Sequence, residues 1–269
     1  MNDILCPIDF SDCSLNAMEY AARYAKTYSG RIHLLHVEIS SLASFSEEQK
    51  KINLSKLKAL HDELSKMIEG VPIDFSIVND PDEASSGISD FVKDKDFDII
   101  IMGTNGISDV EEAFFGSNTS RLIKSSQLPV IAVPLGVTFE PFKKIVYATE
   151  YRSEDKEFIQ KLQSKFNSET IIHVVNVTHN AGLVNKAGME LFKSEVLELV
   201  DHKNMVFSLI QSSEEIDHAL DKFITDQKAD ILVLLAHESN FLARIFDRSV
   251  TREMVYFAKF PILIFKSKA

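Results

Sequence analysis

Two cysteines, no excess of positive charge and no long apolar run set the first limits on this chain of 269 residues. Cys6 and Cys13 are spaced neither as CxxC nor as a zinc knuckle, which excludes a disulfide framework and a thiolate metal site and predicts reduced thiols. The formal charge of -11 has the same sign as a phosphate backbone or an anionic membrane, so no nucleic-acid partner is expected. No apolar run reaches the roughly 20 residues of a membrane span. The opening Met1-Asn2-Asp3-Ile4 passes from an acid straight into an apolar strand with no basic leader, and a cytoplasmic location is expected. What is present is ordinary for a globular chain, 45% hydrophobic and 26% charged residues, and the length predicts two domains.

Residues 4–8 (ILCPI) form an apolar run ended by Asp9, after which Ser11 and Asp12 supply a cap and a first-turn acid for a helix carrying Leu15, Ala22 and Ala25. Gly30 closes that helix, and residues 32–37 (IHLLHV) are a continuous apolar run, as a strand buried on both faces requires. Ser46 with Gln49 makes a capping box for a long helix with Leu54, Leu57, Leu60, Leu64, Met67 and Ile68 on one stripe, stopped by Gly70 and Pro72. A strand follows through Ile73, Phe75 and Ile77; Asp80, Pro81 and Glu83 then read as a helix start, with Ile88, Phe91 and Val92 as its buried face. Residues 98–102 (DIIIM) and 129–133 (PVIAV) are further strands, separated by a helix beginning at Ser117. Alternating strands and helices specify a doubly wound parallel sheet with right-handed crossovers.

The second half repeats the first. Residues 145–150 (IVYATE) fall on 4–9 at an offset of 141, and 172–177 (IHVVNV) fall on 32–37 at 140. From Asp98 onward the offset is 132 without a gap, bringing Asp230 onto Asp98, Ser249 onto Ser117 and Pro261 onto Pro129. The predicted organisation is therefore α/β, two tandem doubly wound parallel five-stranded sheets. One domain spans 1–136 and the other 143–269, and a connector with Pro134, Gly136 and Pro141 joins them.

The chemical signal follows the fourth strand: Gly103-Thr104-Asn105-Gly106, nine residues, then Gly116-Ser117-Asn118-Thr119 and a helix. In an open α/β sheet, ligands bind beyond the carboxyl ends of the strands. Glycines there let backbone amides approach a phosphate, a helix N-terminus adds unpaired N–H groups, and Ser117 and Thr119 add hydroxyl donors. No GxGxxG follows a strand and no GxxxxGK[ST] occurs, so neither a dinucleotide site nor a P-loop is indicated. Without the P-loop lysine or an evident base, the stabilisation that drives phosphoryl transfer is weak, and binding with little or no turnover is expected.

The pattern GxxGx9G[ST], the Asp9 of Pro7-Ile8-Asp9-Phe10-Ser11 and the LLHV strand together resemble the universal stress protein family in its tandem form, over about residues 2–266. The resemblance implies an adenine nucleotide alpha hydrolase-like, Rossmann-like fold. It also implies ATP, with Mg2+ held by its phosphates, in the first domain. Carried residue by residue, the implied site is Pro7, Ile8, Asp9, Val37, Met102, Gly103, Asn105, Gly106, Gly116, Ser117, Asn118 and Thr119. The family's pairing of fifth strands across a dimer implies that residues 129–133 and 261–265 pair within this chain as an intramolecular pseudo-dimer; a further homodimer is compatible with that. The second domain departs from the pattern. Leu235, Glu238 and Arg248 replace Gly103, Gly106 and Gly116, and Glu150 replaces Asp9, so no ATP is expected there.

Other chemistries are set aside. His33 and His36 are three residues apart on one strand, so alternation sends them to opposite faces and they share no ion. His237-Glu238 is not HExxH, since Phe241 stands at the second histidine's place, and no GxSxG occurs. The expectation is an ATP-binding regulatory protein rather than an enzyme. The rivals are a slow ATP hydrolase and a nucleotide-free interaction module.

Overall fold

The computed structural model describes residues 3–39, 47–104, 116–166, 169–200, 203–236 and 259–266. The first half runs β1 (Asp3–Pro7), α1 (Asp12–Tyr28), β2 (Arg31–Ile39), α2 (Glu47–Met67), β3 (Ile73–Asp80), α3 (Ala84–Val92), β4 (Ile99–Gly103), α4 (Ser117–Ser125) and β5 (Val130–Val133). The second half runs β6 (Lys144–Ala148), α5 (Ser153–Lys165), β7 (Ile171–Thr178), α6 (Leu183–Leu199), β8 (Met205–Gln211), α7 (Ile216–Gln227), β9 (Ile231–Ala236) and β10 (Ile262–Lys266).

All ten strands join in one sheet, ordered β3-β2-β1-β4-β5-β10-β9-β6-β7-β8. Every pairing is parallel except β5 with β10, where Ile131 lies opposite Leu263 in an antiparallel seam. The two predicted five-stranded sheets thus fuse through the strands expected to pair. The repeat offsets reappear as register: Cys6 pairs Leu34 as Tyr147 pairs Val174, and Met102 pairs Ala132 as Leu234 pairs Ile264. Successive strand residues point to opposite faces. Accordingly Ile4, Cys6 and Ile8 join one core with the α1 face, while Leu5, Leu35 and Met102 join a second core with Ile88, Leu122 and Ile123.

Several local readings change in three dimensions. Ser29, not Gly30, adopts the left-handed conformation closing α1, and its N–H bonds the Ala25 carbonyl. Helix α3 starts at Ala84, because Asp80 ends β3 and its carboxylate accepts from the N–H groups of Asp82 and Glu83 at 2.9 and 2.8 Å. That side-chain turn satisfies the donors a first helical turn would have used. In α2, Leu57, Leu64 and Ile68 are buried, but Leu54 and Met67 are 46% and 42% exposed. At 100° per residue they fall at the margins of the stripe. Ser46 lies outside the described residues.

The connector is built into the core. Asn16 on α1 donates to the carbonyls of Pro134 and Val137, both at 3.1 Å. Phe139 and Phe142 are buried among Tyr24 and Tyr28 of α1 and Phe166 after α5. This ring cluster packs residues of both halves together. Both cysteines are free and buried, and burial pushes the Cys6 thiol up to about 12. The native protein should therefore leave both unlabelled by a charged alkylating reagent, as read by intact mass. Labelling before the unfolding transition would contradict this packing. Among the described residues no helix is long and apolar enough to cross a membrane.

Candidate functional site

In the first half the strand order reverses at β1, which lies between β2 and β4. Neighbouring crossovers leave such a point in opposite directions and open a crevice beyond the carboxyl ends of the strands. An open cleft of about 540 Å³ occupies that place, walled by Pro7, Ile8 and Asp9 from the end of β1 and by Leu35 and Val37 from β2. Met102 and Gly103 of β4 floor it, with Ser14 of α1, Ala84 and Ile88 of α3, and Asn118 and Thr119 of α4 completing the lining.

The turn after β1 is tightly specified. Oδ1 of Asp9 accepts from the backbone N–H and the hydroxyl of Ser11 at 3.0 and 2.6 Å, and the Ser11 oxygen accepts in turn from the Ser14 N–H at 3.2 Å. Among the described residues, Oδ2 of Asp9 takes no hydrogen bond. Between them Phe10 stands in the left-handed region at φ 66°, a conformation costing a side chain about 1 kcal/mol. Tyr151 repeats it at φ 63° in the second half.

Gly103 has a packing reason that the sequence does not reveal. A Cβ there would sit 2.9 Å from the backbone carbonyl and the Sγ of Cys13, so the glycine lets α1 press against the end of β4. The Thr119 hydroxyl donates to the Gly103 carbonyl at 3.0 Å, so it staples α4 to β4. Gly116 caps α4 without a side chain, and its N–H bonds Thr104 at 2.7 Å. Helix α3 also comes down close, since a Cβ at Gly87 would stand 2.8 Å from Cγ1 of Val37. An ion pair of 2.6 Å between Arg121 and Glu83 links the middle of α4 to the start of α3.

Of the expected residues, Pro7, Ile8, Asp9, Val37, Met102, Gly103, Asn118 and Thr119 meet in the cleft. Ser117 begins α4 on the exposed side, and Asn105 and Gly106 lie outside the described residues. Ser14, Leu35, Ala84 and Ile88 were not anticipated. Alternation gave the signal for Leu35, two residues before Val37 on the same face; the amphipathic face of α3 gave it for Ile88.

At the corresponding place in the second half, the described residues carry bulkier or charged side chains. Leu235 stands where Gly103 does, and Asp155, 2% exposed, stands where Ser14 does. Its carboxylate accepts from Tyr147, Thr149 and the Arg152 N–H at 2.8, 2.7 and 3.1 Å. Glu150, at the Asp9 position, is paired with Arg152 at 2.8 Å. Glu238, Arg244 and Arg248 lie outside the described residues, as does His237. Among the described residues no group of three or more metal-ligating side chains occurs.

A doubly wound sheet with a crevice at its switch point defines an α/β protein of the nucleotide-binding type of architecture. Residues 1–134 match the universal stress protein family, and the chain belongs to that family. A universal stress protein of Synechocystis is 22% identical over 299 aligned positions, covering 99% of this chain and all of that one. Another, from Methanocaldococcus jannaschii, is 28% identical over 148 residues, 48% of this chain and 80% of its own. A crystal structure of a universal stress protein from Archaeoglobus fulgidus superposes over 98% of this chain and 96% of its own with a TM-score of 0.72 at 16% identity. The fold is thus shared over nearly the whole length.

Proposed function

We propose that the protein is a nucleotide-dependent regulatory module that binds ATP in its first half, residues 1–136, while residues 143–269 are a second family domain that keeps the fold without the nucleotide. The observation that carries this reading is the switch-point cleft. Its walls suit a nucleoside: Leu35, Val37, Ile88 and Met102 offer an apolar slot for a base, and Asp9 offers a carboxylate to amine or hydroxyl donors. Helix α4 supplies the positive end of its dipole beside Asn118, which suits an anionic tail. The donor set fits the nucleotide better than a bare cation, and magnesium would come with the phosphates, as it does where no protein cage exists.

Thermal melting with ATP, ADP and AMP, with and without magnesium, tests the reading. Ligand at about a hundredfold over its dissociation constant should stabilise the protein by roughly 2.7 kcal/mol. No shift with any adenine nucleotide would refute it. Asp9→Asn keeps an oxygen for Ser11 but loses the charge, so affinity should fall about tenfold or more by calorimetry while the ligand-free melting temperature holds. Multiple-turnover release of ADP would instead assign a hydrolase.

A further inference from the structure

We propose that His36 is a positioning residue for the nucleotide cleft: it holds the turn that presents Asp9, through a hydrogen bond to the Ile8 carbonyl, without touching the ligand itself. This rests on the nucleotide reading above. Leu35 and Val37 wall the cleft, so alternation along β2 sends the intervening His36 to the opposite face of the sheet. There its Nδ1 lies 2.7 Å from the carbonyl oxygen of Ile8. A carbonyl only accepts, so Nδ1 carries the proton and donates. The same imidazole packs on Phe10, ring centroids 4.6 Å apart, which is the residue held in the left-handed conformation. His36 therefore grips the residues before and after Asp9.

The second half shows which part of that grip the fold keeps. At the equivalent place stands Asn176, whose Nδ2 donates to the Thr149 carbonyl at 2.7 Å. Thr149 is the counterpart of Ile8, and its N–H bonds Val175 at 2.9 Å as the Ile8 N–H bonds Leu35 at 2.8 Å. The next aromatic, Tyr151, packs instead on Phe192 of α6 at 5.4 Å. Ring packing has changed partners while the donated bond is retained with the same length. The donor, rather than imidazole bulk, is what fixes the turn.

Wild type, His36→Asn and His36→Leu, titrated calorimetrically with adenosine and with ATP, separate the donor from the bulk. His36→Asn should bind both ligands within about threefold of wild type, and His36→Leu should lose about tenfold for each, because Asp9 is common to both complexes. Leucine binding as tightly as histidine, or asparagine falling with leucine, would overturn the assignment. Should His36→Leu not fold, the ring ¹⁵N shifts of wild-type His36 decide: a proton on Nδ1 supports the bond and a proton on Nε2 alone overturns it. If wild type binds neither ligand, it is the nucleotide reading that falls, whatever the variants do.

Discussion

Gly103→Leu should lower the melting temperature by about 10 °C and abolish nucleotide binding. The substitution brings in the residue that the second half carries at this place, Leu235. A Cβ at residue 103 would meet the main chain of Cys13 at 2.9 Å, and main chain cannot rotate away as the tip of a side chain can. Overpacking of this kind costs about 3 kcal/mol when the neighbour is a helix backbone, which for a chain of this size is a shift of that order. The leucine side chain would also enter the cleft floor beside Met102. Its second-half counterpart is tolerated because α5 takes α6 as its principal helix neighbour, whereas α1 lies directly against β4. A variant that melted within a degree of wild type would show that α1 does not press on Gly103 as described.

Asp155→Ala should cost about 3 kcal/mol while leaving the affinity for ATP unchanged. The substitution strands two buried donors, the Tyr147 phenol and the Thr149 hydroxyl, and the part-buried Arg152 N–H, and each unmatched buried group costs about 1–3 kcal/mol before relaxation. Tyr147 has no escape by ionisation, because burial, the largest cause of its raised phenol value, remains when the carboxylate is removed. The chain should still melt in one step. The seam and the Tyr24, Tyr28, Phe139, Phe142 and Phe166 rings leave little to separate the halves. Differential scanning calorimetry with an ATP titration checks both claims: two resolved transitions would contradict the shared core, and a weakened ATP affinity would mean that Asp155 reaches the first-half cleft.

The fold was readable because strands of a parallel sheet are buried on both faces and so appear as uninterrupted apolar runs. Two copies with a fixed offset made the assignment self-checking, and Met102 opposite Ala132 with Leu234 opposite Ile264 is that offset in physical form. The place of the cleft was readable for a similar reason, since strand ends locate it before any side chain does. The jobs of individual residues were not. Beside its place in the cleft, Gly103 is the landing place of Cys13, and the Thr119 hydroxyl donates to the Gly103 carbonyl. Both depend on which helix crosses which strand, and spacing along one chain does not encode that. Asp80 fails more locally: an acid before proline signals a cap, but its carboxylate closed a turn within β3's end instead. His36 drew notice as a metal ligand to be dismissed, and its bond to Ile8 needs two strands in register to exist.

The antiparallel junction between β5 and β10 has a geometric consequence for where the two switch points lie. Because every other neighbour runs parallel, strands 1–5 all point one way and strands 6–10 the other. The two switch points therefore lie on opposite rims of a single sheet, back to back rather than side by side. A ligand at one rim would not touch one at the other, and the sheet ends at β3 and β8, one strand from each half.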